Sequence, residues 1–319
     1  GFLTRPLLSE VLRYRDFVEE HITELFSHET SDFQNFLMDL GINHEQQHQE
    51  LILMDIKHIF FSNPLKPVYK KSKIETKNPK KVDNEFVLDS ETKFNYGNTT
   101  NQFCYDNELP SCTTSIDPIK LTNFVSNGEW KEFIEDKGYD LHEFWLSDGW
   151  DYLNQNKINK PLYWLDGNNH FTLSGVKKIN DNDPVSHISF YEACAYAKYK
   201  GLRIPNEFEI EFFLKKTSKS GNFLEDQKFQ EIDYCNADYN NLLYGNLWLW
   251  TSSNYVPYKN YKPFSNKLME YNSKFMCNQF VMKAGSYATP VNHMRASYRN
   301  FYYPHNRWQF SGLRLIEDL

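Results

Sequence analysis

Two histidines four residues apart, His44 and His48, stand in residues 42–58, a run of good helix formers without proline. In a helix, a spacing of four puts both imidazoles on one face about one turn apart, where they can converge on a single metal ion. The pair is therefore a His-x-x-x-His half-site that needs at least one more ligand. Residues 44–48, His-Glu-Gln-Gln-His, also satisfy the short H-E-x-x-H pattern of zinc metalloproteases. The longer metzincin pattern requires glycine and histidine where this chain has Leu51 and Met54. After this helix the chain enters a lysine-rich stretch with no further glutamate ligand in a helical setting, which disfavours a zinc hydrolase.

The helix around the pair is long. Thr30, Ser31 and Asp32 supply N-cap chemistry, and the helical pattern runs from about Asp32 to Phe61, with Leu37, Gly41, His44, His48, Leu51 and Asp55 on one stripe. Gly41, a poor helix former, leaves room there for a partner helix. Upstream, Leu7, Val11, Tyr14, Val18, Ile22 and Leu25 recur at three-four spacing and predict an amphipathic helix over residues 7–26. The two look like half of an antiparallel four-helix bundle over residues 1–62; they cannot bury their apolar faces alone, so either partner helices are missing or the following domain covers them. Asn63-Pro64 ends the helix, and residues 65–81 hold seven lysines. Residues 63–84 are the expected linker.

From residue 85 to 319 the texture changes. Short aromatic and β-branched runs alternate with Asn, Gly, Asp and Ser, and two helices stand out. One is capped by Ser126 or Asn127; the other by Ser189, with Glu192 completing a capping box. This is an α+β pattern in which loops form much of the surface. The 25 Phe and 21 Tyr predict a core built on rings. A net charge of −7 argues against nucleic acid or an anionic membrane as partner, and no run of about 18 apolar residues is present to span a bilayer. Five scattered cysteines without a CxxC pair point to reduced thiols and a cytoplasmic setting.

Five ordered segments then carry a resemblance: residues 183–193, 201–209, 245–251, 283–289 and 310–315. Together they resemble the formylglycine-generating-enzyme (sulfatase-modifying factor) fold, a C-type-lectin-like scaffold. Most of these motif residues read as scaffold: turn glycines, the Trp248/Trp250 pair, an arginine bridging loops. The cysteine pair that formylglycine chemistry needs is missing, since residues 288–299 contain none. The fold therefore serves another reaction.

With residues 41–58, 146–150, 161–164, 271–279 and 298–302 added, the chain resembles the ergothioneine-biosynthetic sulfoxide synthases, or hercynine oxygenases. Their architecture is a DinB-like four-helix bundle followed by a formylglycine-generating-enzyme-like domain. The resemblance implies a non-haem iron(II), O2-dependent enzyme that joins a thiol to the imidazole carbon of hercynine (Nα-trimethylhistidine). It makes His44 and His48 two of three iron ligands, with the third histidine expected upstream of Gly1, the chain being read as N-terminally truncated. Gln47 would hydrogen-bond the substrate imidazole, Asn300 would bind the hercynine end, and Phe301 and Tyr302 would surround its trimethylammonium group. Tyr271 would donate a proton. An aspartate marks the γ-glutamylcysteine-using enzymes where this chain has Tyr302, so cysteine is the favoured thiol. Selenoneine synthesis and a non-catalytic lectin-like binding module are the alternatives.

Overall fold

The computed structural model describes residues 4–71, 84–99, 102–232, 242–264 and 273–319. Most of the lysine-rich stretch and Tyr271 lie outside these residues. Helices α1 (Leu8–Phe26) and α2 (Asp32–Ser62) form where the periodicity placed them. The start of α1, for which the sequence offers no Ser or Thr cap, is closed by the Glu10 carboxylate accepting from the Leu7 backbone N–H at 2.7 Å.

By its contacts the chain divides into two compact units, Gly1–Glu45 and Gln46–Leu319, a division that falls within α2. In the first unit no side chain of α1 is buried, and Val11, Leu12, Tyr14 and Phe17 are exposed. A Cβ at Gly41 would meet no atom within 4 Å, so no partner helix crosses there among the described residues.

In the second unit, strands β1 (Phe86–Leu88), β2 (Thr92–Tyr96), β3 (Cys112–Ile116) and β4 (Ile119–Phe124) precede α3 (Asn127–Glu135) and α4 (Ser147–Asn156). The meander β5 (Trp164–Leu165), β6 (Asn169–Thr172) and β7 (Gly175–Lys178) leads to α5 (Phe190–Lys200) and α6 (Glu207–Lys216). Then follow β8 (Gly221–Asn222), β9 (Tyr244–Gly245), β10 (Trp248–Asn254), β11 (Phe280–Lys283), β12 (Asn300–Tyr302), β13 (Ser311–Gly312) and β14 (Arg314–Asp318). The central sheet is ordered β12-β11-β10-β13, and a second sheet is ordered β1-β4-β14. No helix among the described residues is long and apolar enough to cross a membrane.

Local chemistry explains the helices. Ser126 caps α3 and Ser189 caps α5, each in a reciprocal box with Glu129 or Glu192. Two further helices, α4 and α6, form where only loops and short runs were expected. The α6 sequence Glu-Phe-Glu-Ile-Glu-Phe alternates like a strand. Asn206 overrides that pattern by accepting from the Phe208 and Glu209 backbone N–H groups, while Glu209 reaches back to the Asn206 N–H. Its three buried glutamates are each matched by a cation: Glu207 by Arg299, Glu209 by Arg203 and Glu211 by Lys283. Helix α4 lacks a side-chain cap and is held by packing of Gly149 on Tyr191, where a Cβ would lie 2.8 Å from the ring's own Cβ.

The expected scaffold residues hold the domain together. Trp248 and Trp250 are buried in β10, and the Trp250 indole donates to the Ile188 carbonyl at 2.9 Å. Arg314 ties three segments by donating to the carbonyls of Asn84, Thr122 and Leu242.

Candidate functional site

Within the second unit, the C-terminal half of α2 lies on the sheet domain through a polar seam. Glu50, Leu53, Met54 and Lys57 form its buried face, at the three-four spacing of one helical stripe. Glu50 is the centre. Its carboxylate accepts from the Trp248 indole N–H at 2.8 Å, the Ser286 hydroxyl at 2.6 Å and the Thr289 hydroxyl at 2.7 Å. Burial pushes its pKa up, and these three donors pull it back.

Two turns further on, the Lys57 ammonium lies 2.6 Å from His187 Nε2 and 4.0 Å from the Glu231 carboxylate. Burial lowers the Lys57 pKa to about 8. Burial and the Lys57 charge hold His187 well below its ordinary range. At neutral pH the ammonium therefore donates to a neutral imidazole, with Glu231 as counter-charge. Burial opposes ionisation of Glu231, but the charges of Lys57 and His170 outweigh it and hold its pKa down.

One turn before Glu50, Gln46 bonds Asn292 at 2.9 Å and His293 Nδ1 at 3.1 Å. Half-buried Gln47 donates from Nε2 to the Tyr298 hydroxyl at 2.7 Å. Tyr298 stands among rings, with centroids of His293 at 4.8 Å, Trp248 at 5.7 Å and Tyr105 at 5.9 Å. Burial pushes the Tyr298 phenol above its ordinary pKa and depresses that of His293 to about 3, so both stay neutral near pH 7. The result is an amide held against a neutral, aromatic wall.

Strand β12 carries the other expected substrate contacts, but not on one side. It pairs with β11 so that Phe280 faces Tyr302, Val281 faces Phe301 and Met282 faces Asn300. Alternation along a strand puts Asn300 and Tyr302 on one face and Phe301 on the other. Tyr302 is buried, its hydroxyl 3.7 Å from Met54 Sδ, close to Glu50 and Tyr298. Phe301 instead stacks on Tyr255 at 4.1 Å and on Phe275 at 5.6 Å. Gln47 and Tyr302 thus share a neighbourhood with Tyr298 and Glu50, and Phe301 belongs to a separate ring stack.

His44 and His48 are both exposed, four residues apart along α2 and away from its buried stripe. Among the described residues no group of three or more His, Cys, Asp or Glu side chains is placed to hold a metal ion. The described residues alone therefore do not complete a three-ligand metal site.

Glu50, Tyr298 and the Lys57–His187–Glu231 cluster were not singled out from the sequence. A signal existed for the first and third: an acid and a lysine sit on the same helical stripe as Leu53 and Met54. Charges on an apolar stripe imply buried partners. Ser286 and Thr289 fell inside a recognised motif but read as scaffold.

The sulfatase-modifying factor enzyme 1-like domain model matches residues 71–243 and 239–319. A hercynine oxygenase of Mycobacterium tuberculosis is 28% identical over 239 residues, covering 67% of this chain and 56% of the relative. One from Mycolicibacterium thermoresistibile is 24% identical over 349 residues, covering 98% of this chain and 76% of the relative. Ergothioneine biosynthesis protein 1 of Schizosaccharomyces pombe is 25% identical over 233 residues, covering 68% of this chain and 28% of the relative. This chain thus spans little more than half the length of its Mycobacterium tuberculosis relative. The family match covers well over half of the described chain and agrees with its α+β architecture. The chain belongs to the sulfatase-modifying factor enzyme 1-like family.

Proposed function

We propose that this chain is a hercynine oxygenase: an iron(II)- and O2-dependent sulfoxide synthase that joins a thiol to the imidazole carbon of hercynine. The observation that carries this reading is the Gln47 amide, held at 2.7 Å by Tyr298 in an aromatic wall, one residue before His48. The names of the relatives point the same way.

The residues match the chemistry of such a substrate. An amide offers both a donor and an acceptor, so Gln47 can bind either tautomer of an imidazole. Neutral rings around it suit a trimethylammonium group, which is attracted to ring faces and needs no counter-ion. Burial keeps Tyr298 and His293 neutral, and the Arg295 guanidinium behind the Tyr298 ring is already paired with Glu108 at 2.8 Å. Asn300 shares the strand face of Tyr302, and its amide is the proposed contact for the polar end of the molecule. Iron(II), activating O2 for C–S bond formation, would be bound by His44, His48 and a third ligand outside the described residues. Tyr271, also outside them, is the proposed proton donor. Residues 1–62 are proposed to form the DinB-like part, residues 63–84 a linker and residues 85–319 the lectin-like domain.

Tyr302 has no carboxylate to hold the amine of γ-glutamylcysteine, so the proposed thiol is cysteine. The four free cysteines among the described residues suit a reducing cytoplasm.

The test supplies the full chain with iron(II), O2, hercynine and cysteine, and follows products by mass spectrometry. The reading predicts a hercynine–cysteine sulfoxide that is lost in His44→Ala and His48→Ala. Iron-loaded protein that leaves hercynine unchanged with every thiol and selenium donor offered would overturn it.

A further inference from the structure

Tyr298 has a setting that a simple core tyrosine does not need. Its backbone N–H bonds the Arg295 carbonyl at 3.0 Å. The Arg295 guanidinium lies 5.4 Å from its ring centroid and is itself tied to Glu108 at 2.8 and 3.1 Å. Glu108 also accepts from the Ser297 hydroxyl at 2.5 Å and the Tyr105 N–H at 2.9 Å. This chain of bonds leaves the phenol little freedom, and its oxygen ends on the flexible side chain of Gln47.

That asymmetry suggests a direction of action. A glutamine immobilised only on binding would lose rotamer entropy worth up to about 2 kcal/mol. One already held by a rigid partner loses less, so the ligand gains affinity without a new contact. Gln46, the neighbouring amide, is held in the same way by Asn292 and His293. The sheet domain therefore grips two consecutive amides of α2, at the turn that carries His48.

We infer that Tyr298 is the positioning residue of the imidazole site: its hydroxyl fixes the Gln47 amide where the substrate ring must meet it. This rests on the hercynine reading above. Tyr298 acts through Gln47 and need not touch the substrate, so the two residues must behave as one unit.

The experiment is a double-mutant cycle on hercynine affinity, measured by calorimetry with the full chain, for wild type, Tyr298→Phe, Gln47→Leu and the double variant. The expected result is about tenfold weaker binding in Y298F, the equivalent of one hydrogen bond, and no further loss when Y298F is added to Q47L. Independent, multiplying losses in the double variant, or a Y298F variant that binds like wild type, would overturn the inference while leaving the imidazole site standing. A wild-type chain that binds no hercynine would overturn both. Should Y298F unfold, Tyr298→His takes its place in the same cycle, because it keeps a polar ring but moves its polar atom away from Gln47. A tenfold loss that disappears on the Q47L background supports the inference, and unchanged affinity or an equal loss on that background refutes it.

Discussion

Removing the Glu50 side chain is the sharpest test of how α2 is held on the sheet domain. Glu50→Ala strands three buried donors: the Trp248 indole, the Ser286 hydroxyl and the Thr289 hydroxyl. A stranded buried donor costs about 1–3 kcal/mol. The two hydroxyls are 3.3 Å apart and can turn towards each other, so they recover part of the loss. The indole N–H cannot turn. Adding the cavity left by the side chain, the net cost is about 3–5 kcal/mol. Glu50→Gln keeps the volume and one acceptor oxygen. Its NH2 group would face Thr289, whose hydroxyl can reverse to accept, and the burial penalty on the charge disappears. The cost there is about 1–2 kcal/mol. In a domain of this size each kcal/mol shifts Tm by about 2–4 °C, so thermal unfolding should fall by roughly 10 °C in E50A and a few degrees in E50Q. Equal losses in the two variants, or a fall in E50A no larger than that expected of E50Q, would refute the donor accounting.

Three other perturbations follow from the same geometry. Buried His187 and His293 and half-buried His170 all have depressed pKa values, His170 about 4 and His293 about 3, with desolvation the main cause. A depressed histidine binds fewer protons folded than unfolded, so stability falls as pH drops below the unfolded value of about 6.5 and keeps falling towards the folded values. Three such groups give a slope of up to about 4 kcal/mol per pH unit, and His293→Gln should lower the proton uptake on unfolding by about one. Arg299 bonds Glu207 at 2.7 and 3.0 Å and two backbone carbonyls at 3.0 Å, so Arg299→Lys should cost about 3 kcal/mol by urea unfolding despite its unchanged charge. Gly245 has φ +72°, and a Cβ there would lie 2.5 Å from the Asn222 carbonyl oxygen, so Gly245→Ala should lose at least about 2 kcal/mol in the same assay.

Periodicity was legible wherever one face of an element is apolar and the ends carry local caps, as in α1, α2, α3 and α5. It failed at α6, where a strand-like alternation of Glu and Phe is in fact a helix buried nearly all round. There the deciding contacts are cations far away in sequence, Arg203, Lys283 and Arg299, which no local pattern reveals. The same limit applies to the site. Gln47 and His48 could be named from their run, but Tyr298 lies 251 positions from Gln47 and is one tyrosine among 21. The separation of Phe301 from Asn300 and Tyr302 depends on β12 pairing with β11 as a strand, which the run Asn-Phe-Tyr by itself does not reveal.

The most direct test of the whole account is a crystal structure of the full chain with hercynine. The account predicts the imidazole ring within hydrogen-bonding distance of the Gln47 amide, with the trimethylammonium group against the neutral rings beside Tyr298. Hercynine bound elsewhere, with the Gln47–Tyr298 bond intact and no ring beside it, would contradict it.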